Sequence, residues 1–256
     1  MKSTNSADAG QIIAKEKWGQ NFLGSEETAE KIALEIKAKK NVLEIGPGLG
    51  MLTGFLAERC KKLTCVEIDP ELAHILRKKF KSTKNVEVKN GDCLNEDFSQ
   101  FDVVVGLLPY NISSVIIEKF IRSKCKNAVF VVQKEVGERM VGLPGSRNYS
   151  RLSILCQNNS KCELIEVYPP EFFWPVPKVH SALVKMERKK PLAIDQGIVN
   201  ALFQHKNQKV KKALKHSVHL LGEKTQKIIT KHPHFMEKRV VELTIEEIAE
   251  LSLNSK

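Results

Sequence analysis

Between Asn41 and Gln133 the chain alternates short β-type runs with segments of helical length, and that rhythm leaves it few folds to adopt. The β-type runs are Asn41 to Ile45, Leu63 to Ile68, Asn85 to Val88, Asp102 to Leu107 and Ala128 to Gln133. Helices fit between or after them at Leu52 to Cys60, Glu71 to Phe80, Ser114 to Ser123 and Glu135 to Val141. A strand that re-enters its sheet through a helix runs parallel to the one before, so the pattern predicts a mainly parallel, doubly wound α/β sheet. Two more strand candidates follow, Cys162 to Tyr168 and Ser181 to Arg188. Ahead of the sheet, Ala29, Ile32, Ala33 and Ile36 recur at helix spacing and predict a helix over Glu26 to Lys39.

From Lys189 the composition turns charged and helix-rich, opening on Pro191, with helices predicted over Asp195 to Gln204, Lys209 to Leu221 and Thr244 to Leu251. The expected organisation is a basic arm over residues 1–19, an α/β domain over 20–189 and a small all-α domain over 190–256. A chain of 256 residues, 42% of them hydrophobic, can bury one full α/β core and a small second unit.

The formal charge of +11 and an isoelectric point near 9.3 favour a polyanionic partner through counterion release. Charge alone fits nucleic acid or an anionic membrane. No run of about 18 apolar residues appears, and Met1 to Lys17 lacks the apolar stretch of a secretory signal, so a soluble, cytoplasmic protein is expected. The six cysteines form no C-x-x-C pair and read as free thiols of a reducing compartment. The seven histidines show no H-E-x-x-H or similar spacing, and no metal is assigned.

Three signals fall after successive strands. Gly46-Pro47-Gly48-Leu49-Gly50 is a glycine-rich turn opening a helix, which lets backbone approach a ligand closely. Glu67, about twenty residues on, stands where a carboxylate can take both hydroxyls of a ribose. Asp92 follows the third strand, where it could accept from an adenine amine. A dinucleotide dehydrogenase is the competing reading, but its G-x-G-x-x-G fingerprint does not stand here.

The fourth strand ends in Leu108-Pro109-Tyr110-Asn111-Ile112-Ser113. Together with Gly19-Gln20-Asn21-Phe22-Leu23, Glu44 to Gly50, Glu67-Ile68-Asp69, Gly91-Asp92 and Phe173-Trp174-Pro175-Val176-Pro177-Lys178-Val179, it resembles the ribosomal RNA adenine N6,N6-dimethyltransferase family. That family confers kasugamycin sensitivity in bacteria. The resemblance covers nearly the whole chain. It implies a Rossmann-like S-adenosylmethionine-dependent methyltransferase domain with a small all-α C-terminal domain. It also implies dimethylation of adenosines near the 3′ end of small-subunit ribosomal RNA, within a pre-ribosomal particle, by a monomer.

Carried over by motif, Asn21 and Leu23 border the methionine end of S-adenosyl-L-methionine, Gly46 lies under it, Glu67 holds the ribose and Asp92 reads the cofactor adenine. Leu107 borders both cofactor and target, and Leu107, Leu108 and Pro109 form the catalytic loop. Tyr110 and Phe173 sandwich the target base, a role that suits aromatic faces. For Phe173, beside Phe172 and Trp174, a core aromatic cluster is the alternative.

Two residues depart from the family. Leu107 stands where the family places Asn, whose oxygen accepts from the adenine amine. Losing one preorganised polar contact slows an enzyme about 10²–10³-fold, though the carbonyls of Leu107 to Pro109 still offer acceptors. The alternative function is therefore a ribosome-assembly factor with weak or no methyl transfer. The second departure is His180, where the family usually carries Asp. Finally, Lys206, Lys209, Lys211, Lys212 and Lys215 have no acid between them in sequence. They read either as a solvated helix face or, given the family's use of this region, as a grip on RNA phosphates.

Overall fold

The computed structural model describes residues 20–253, so the predicted arm over 1–19 lies outside the described residues. In chain order the elements of the first part are β1 (Phe22–Leu23), α1 (Glu26–Leu34), β2 (Asn41–Ile45), α2 (Met51–Arg59), β3 (Lys62–Glu67) and α3 (Pro70–Lys79). Then come β4 (Val86–Asn90), β5 (Val103–Leu107), α4 (Ser113–Arg122), β6 (Asn127–Gln133), α5 (Lys134–Met140) and α6 (Arg151–Asn159). Three strands close this part: β7 (Ser160–Tyr168), β8 (Phe173–Trp174) and β9 (Ser181–Arg188). Five helices follow: α7 (Gln196–Phe203), α8 (Val210–His216), α9 (Val218–Leu221), α10 (Lys224–Lys231) and α11 (Ile245–Leu253).

Seven strands form one sheet in the order β4-β3-β2-β5-β6-β9-β7. The first five are mutually parallel, and β9 joins β6 and β7 antiparallel. Strand side chains alternate between two cores. Leu43 and Val104 pack with α4 residues Ile116 and Phe120 on one face, while Val42, Val103 and Val105 pack with α1 and α2 on the other. Coverage on both faces explains why β5 reads as a continuous valine run rather than an alternating one. Chain direction across the sheet reverses between β2 and β5, and in open α/β sheets ligands bind at that switch point, outside the carboxyl ends of the strands.

Local chemistry sets the helix starts. The Ser25 hydroxyl accepts from the Thr28 amide at 3.2 Å to open α1, and Asp69 accepts from Glu71 at 3.0 Å, ahead of Pro70, to open α3. The predicted helix over Glu26 to Lys39 stops earlier, at Leu34, and Lys39 takes a left-handed φ of 60° in the turn that follows. The predicted helix over Lys209 to Leu221 is two helices, because Ser217 leaves helical geometry and donates its hydroxyl to Ala201 O at 3.0 Å. Helices α6 and α10 fall where the sequence reading placed none.

The C-terminal helices bury their own core of Ile198, Leu202, Val210, Leu214, Ile228, Val240, Ile248 and Leu251, which Tyr149 and Ile154 of the first part also enter. Tyr149 donates its hydroxyl to Leu243 O at 2.8 Å, and Lys206 donates to the carbonyls of Arg147 and Tyr149 at 3.0 and 3.3 Å. These bonds tie the helical unit to the loop before α6. Among the described residues no helix is long and apolar enough to cross a membrane.

Candidate active site

A crevice with a cavity of about 70 Å³ opens at the carboxyl ends of β2, β3 and β5. Asn21, Gly46, Glu67, Leu107, Leu108, Pro109, Tyr110 and Phe173, assigned from different segments of the sequence, line it together. A second, connected recess under the glycine turn is lined by Leu23, Glu44, Gly46, Gly48 and Leu107. Asn21, Gly46 and Leu107 border both.

The turn after β2 needs its glycines. Gly48 sits at φ 57°, and a Cβ there would meet the Phe22 ring at 2.7 Å. Gly106, one residue before Leu107, is needed for another reason: a Cβ would stand 2.6 Å from Ile45 O, so β5 can lie this close to β2 only without one. The Gly46 amide donates to Val66 O at 3.0 Å and joins the turn to the end of β3.

Glu67 is almost fully buried. One carboxylate oxygen accepts from the Gly48 amide at 3.1 Å and the other from the Asp69 amide at 3.0 Å. Burial pushes this carboxyl above its usual range, and the amides of Asp69 and Gly48 pull it back. Glu44, on β2 beneath the turn, is also buried and accepts from the Cys65 thiol at 3.3 Å. Burial, with the charge of Glu67 nearby, raises it to about 7. Two acids thus underlie one glycine turn.

Asp92 lies apart from the lining of both recesses. It is half-buried, and its carboxylate accepts from the Leu94 amide at 2.8 Å, opening a short 3-10 turn. The adjacent Gly91 amide donates to Glu67 O at 2.9 Å, and Asn90 donates its side-chain amide to the same carbonyl at 2.9 Å. The ends of β3 and β4 are therefore locked side by side, and Asp92 follows directly.

On the other side, the Leu108 amide donates to Val131 O at 2.9 Å, and Pro109 O accepts from Ile112 in a tight turn before α4. That turn holds Tyr110 half-buried with its hydroxyl 3.1 Å from Ser181 Oγ. Burial raises the Tyr110 phenol above its usual range. Phe173 meets both readings of the sequence: it is 3% exposed in the core of one sheet face, and it lines the crevice. It stands in β8, which pairs antiparallel with β1 so that Leu23 faces Phe173 and Phe22 faces Trp174. The Phe22 and Trp174 rings stack at 5.9 Å. Asn111 is exposed and outside the lining, and His180 is exposed, its carbonyl accepting from the Lys134 amide at 2.9 Å.

Sequence reasoning did not single out Glu44 or Ser181. Glu44 stands inside the glycine motif, but only the sheet shows that it is buried beneath the turn. Ser181 is brought to Tyr110 by the antiparallel pairing of β9 with β6.

Of the lysine cluster, Lys211, Lys212 and Lys215 are exposed on α8. Lys209 pairs with Glu237, an acid remote in sequence, and Lys206 is turned to the carbonyls of Arg147 and Tyr149. The absence of acids between these lysines along the chain thus does not carry into space.

A parallel sheet with a glycine turn after its first parallel strand, a buried acid at the end of the next and an apolar-to-aromatic loop after β5 defines the Rossmann-like class of S-adenosylmethionine-dependent methyltransferases. Within this class, the profile of ribosomal RNA adenine dimethylase matches residues 13–254, and the chain belongs to that family. It is 41% identical over 244 residues to the probable ribosomal RNA small subunit methyltransferase A of Thermococcus onnurineus, covering 91% of this chain and 89% of that one. The protein of the same name from Pyrococcus abyssi is 39% identical over 247 residues, covering 94% and 91%. Among solved structures, a dimethyladenosine transferase from Plasmodium falciparum superposes with a TM-score of 0.78 at 28% identity, covering 90% of this chain and 95% of that one. The 23S rRNA methyltransferase ErmE gives 0.72 at 29% identity, covering 90% and 97%.

Proposed function

We propose that this chain dimethylates N6 of adenosines near the 3′ end of small-subunit ribosomal RNA, acting in the cytoplasm as a monomer on a pre-ribosomal particle. The observation that carries the reading is the single crevice that gathers Glu67, the glycine turn, Leu107 to Tyr110 and Phe173. When bound, S-adenosylmethionine supplies the methyl group as an electrophile on its sulfonium. Glu67, already fixed by two backbone amides, takes the ribose hydroxyls without reorganising. Asn21, Leu23 and Gly46 border the methionine end, and Asp92, in the turn after β4, takes the cofactor adenine.

Tyr110 and Phe173 flank the space for the target base. Tyr110 is a stacking face rather than a base, because its buried phenol stays protonated and is engaged by Ser181. Admitting a base between the rings requires Phe173 to leave its core packing, so part of the stacking energy, about 1–3 kcal/mol per base, is offset by that opening. Catalysis rests on positioning: the amine is held by the carbonyls of Leu107 to Pro109 and desolvated by the apolar lining. The exposed Lys211, Lys212 and Lys215, with Lys209 and Lys206 at their margin, contact phosphates and orient the RNA without reading its sequence. The division into an α/β domain to residue 189 and a helical RNA-contacting domain beyond it follows the change from sheet to helices.

A second reading is carried by one observation: Leu107 brings an aliphatic side chain to the border of both recesses, where the family's Asn would accept from the amine. On that reading the chain is an assembly factor with little turnover. Tritiated-methyl transfer from S-adenosylmethionine to unmethylated small subunits separates the two. Incorporation into adenosine by the native chain, rising about tenfold or more in Leu107→Asn, supports the enzyme. Cofactor and RNA binding without incorporation, rescued by the variant, supports the assembly factor.

A further inference from the structure

We propose that His232, His234 and Glu250 form a binding site for one divalent transition ion of the zinc class, on the C-terminal helical unit and remote in sequence from the crevice residues. His232 follows α10, Pro233–Phe235 is a single 3-10 turn, and Glu250 projects from α11. His232 Nδ1 lies 3.4 Å and His234 Nε2 3.5 Å from the same carboxylate oxygen, Glu250 Oε1. The three ligand atoms all lie within 4.8 Å of one another.

Those separations are the argument. Nitrogen and oxygen ligands about 2.0–2.2 Å from zinc, at a tetrahedral angle, stand about 3.3 Å from each other. The two measured pairs have that spacing, and both exceed the roughly 2.7–3.2 Å of a normal N–H···O bond. The two imidazoles would have to close by no more than about 1.5 Å to share an ion at zinc-like bond lengths. His234 and Glu250 are half-exposed and can make that adjustment, while His232 is buried and fixed.

The rings are also held. The Phe235 ring lies 4.0 Å from that of His234 and stacks at 6.1 Å on that of His232, so packing restricts both imidazoles. The carbonyl of His232 accepts from the Phe235 amide at 3.2 Å and closes the turn between the two ligands. Two imidazoles and one carboxylate select zinc, cobalt or nickel over magnesium and calcium, which prefer all-oxygen shells. The exposure of His234 and Glu250 leaves the fourth position to water. An ion here would staple the turn after α10 to α11 and stabilise the helical unit, since binding energy of the folded form adds to its stability.

The test uses the purified full chain, stripped of metal with a chelator and titrated with cobalt(II), then zinc. One equivalent of cobalt should bind with the intense visible absorption of a four-coordinate site, be displaced by zinc and be untouched by magnesium. His234→Ala and Glu250→Gln change exposed side chains. Each should weaken binding by more than the about 10–100-fold that loss of a mere supporting group costs. His74→Ala, on α3, should change nothing, and zinc should raise the melting temperature of the native chain but not of His234→Ala. Absence of a stoichiometric cobalt spectrum, or one that persists unchanged in both cluster variants or carries thiolate charge-transfer bands, would overturn the proposal.

Discussion

On the β2 and β3 side of the crevice the lining is backbone and buried acid, with both Glu67 oxygens held by amides and the glycine turn pinned to Val66. On the β5 and β6 side it is Leu107, Leu108, Pro109 and Val131, with Tyr110 hydrogen-bonded to Ser181 and Phe173 closed into the core. The first side is set by covalent geometry and hydrogen bonds, and it is fixed before a ligand arrives. The second is set by side-chain packing, which can rearrange at modest cost. A cofactor of constant shape suits the first, and a base that must be delivered by RNA suits the second.

The largest effect should come from breaking the rigid side. On the proposed role of Glu67, Glu67→Ala removes charged hydrogen bonds to two ribose hydroxyls, each worth about 1.5–3 kcal/mol, so S-adenosylmethionine affinity should fall about 10²-fold or more by calorimetry. RNA affinity, measured by filter binding, should stay close to native. Equal losses of both would mean that the two sides are not separable.

Next comes Glu44, which is raised to about 7 when folded from a usual value of 4.5. Between those values the folded chain holds a proton that the unfolded chain has released. The stability this gives is full below about pH 4.5 and is lost as pH rises through about 7. Denaturant midpoints of the cofactor-free protein should therefore fall across that window, by on the order of 1–3 kcal/mol, and Glu44→Gln should flatten the curve. A native curve as flat as the variant's would show that the rigid side carries no buried, protonated acid.

The smallest effect probes the adaptable side. Tyr110→Phe keeps the ring and gives up one hydrogen bond, worth about 0.5–1.5 kcal/mol, so methyl-transfer kcat/KM should change by only a few-fold. Tyr110→Ala also removes the stacking face and should lose about tenfold or more. Similar losses in both variants would assign the hydroxyl, rather than the ring, to catalysis.

The rigid side was the more legible in sequence. Gly46 follows β2 and Glu67 closes β3, and neighbouring parallel strands bring such ends to one sheet edge before any contact is known. The β2 and β9 bounds agree with their predicted runs because each is a short apolar-rich run set off by polar or turn-forming residues. Helix α6 was hidden because its closing residues Gln157, Asn158 and Asn159 are polar, yet Asn158 is buried and its side chain exchanges two hydrogen bonds with the Leu192 backbone. Helix α10 was hidden in a run of charged and polar residues. Strands β1 and β8 have two residues each, too few to show a period, yet their pairing carries Phe173 to the crevice. Asp92 followed its strand as expected, but its carboxylate serves the local turn, which no spacing reveals. The cluster of His232, His234 and Glu250 was invisible for a related reason: its third ligand comes from another helix.

On this reading the cofactor side of the crevice is complete before RNA binds. Calorimetric titration of S-adenosylmethionine into the purified chain without RNA tests it directly. The protein alone should bind one equivalent saturably, and Tyr110→Phe should leave that binding unchanged. Binding that appears only after unmethylated small subunits are added would contradict it, and would mean that RNA builds both sides at once.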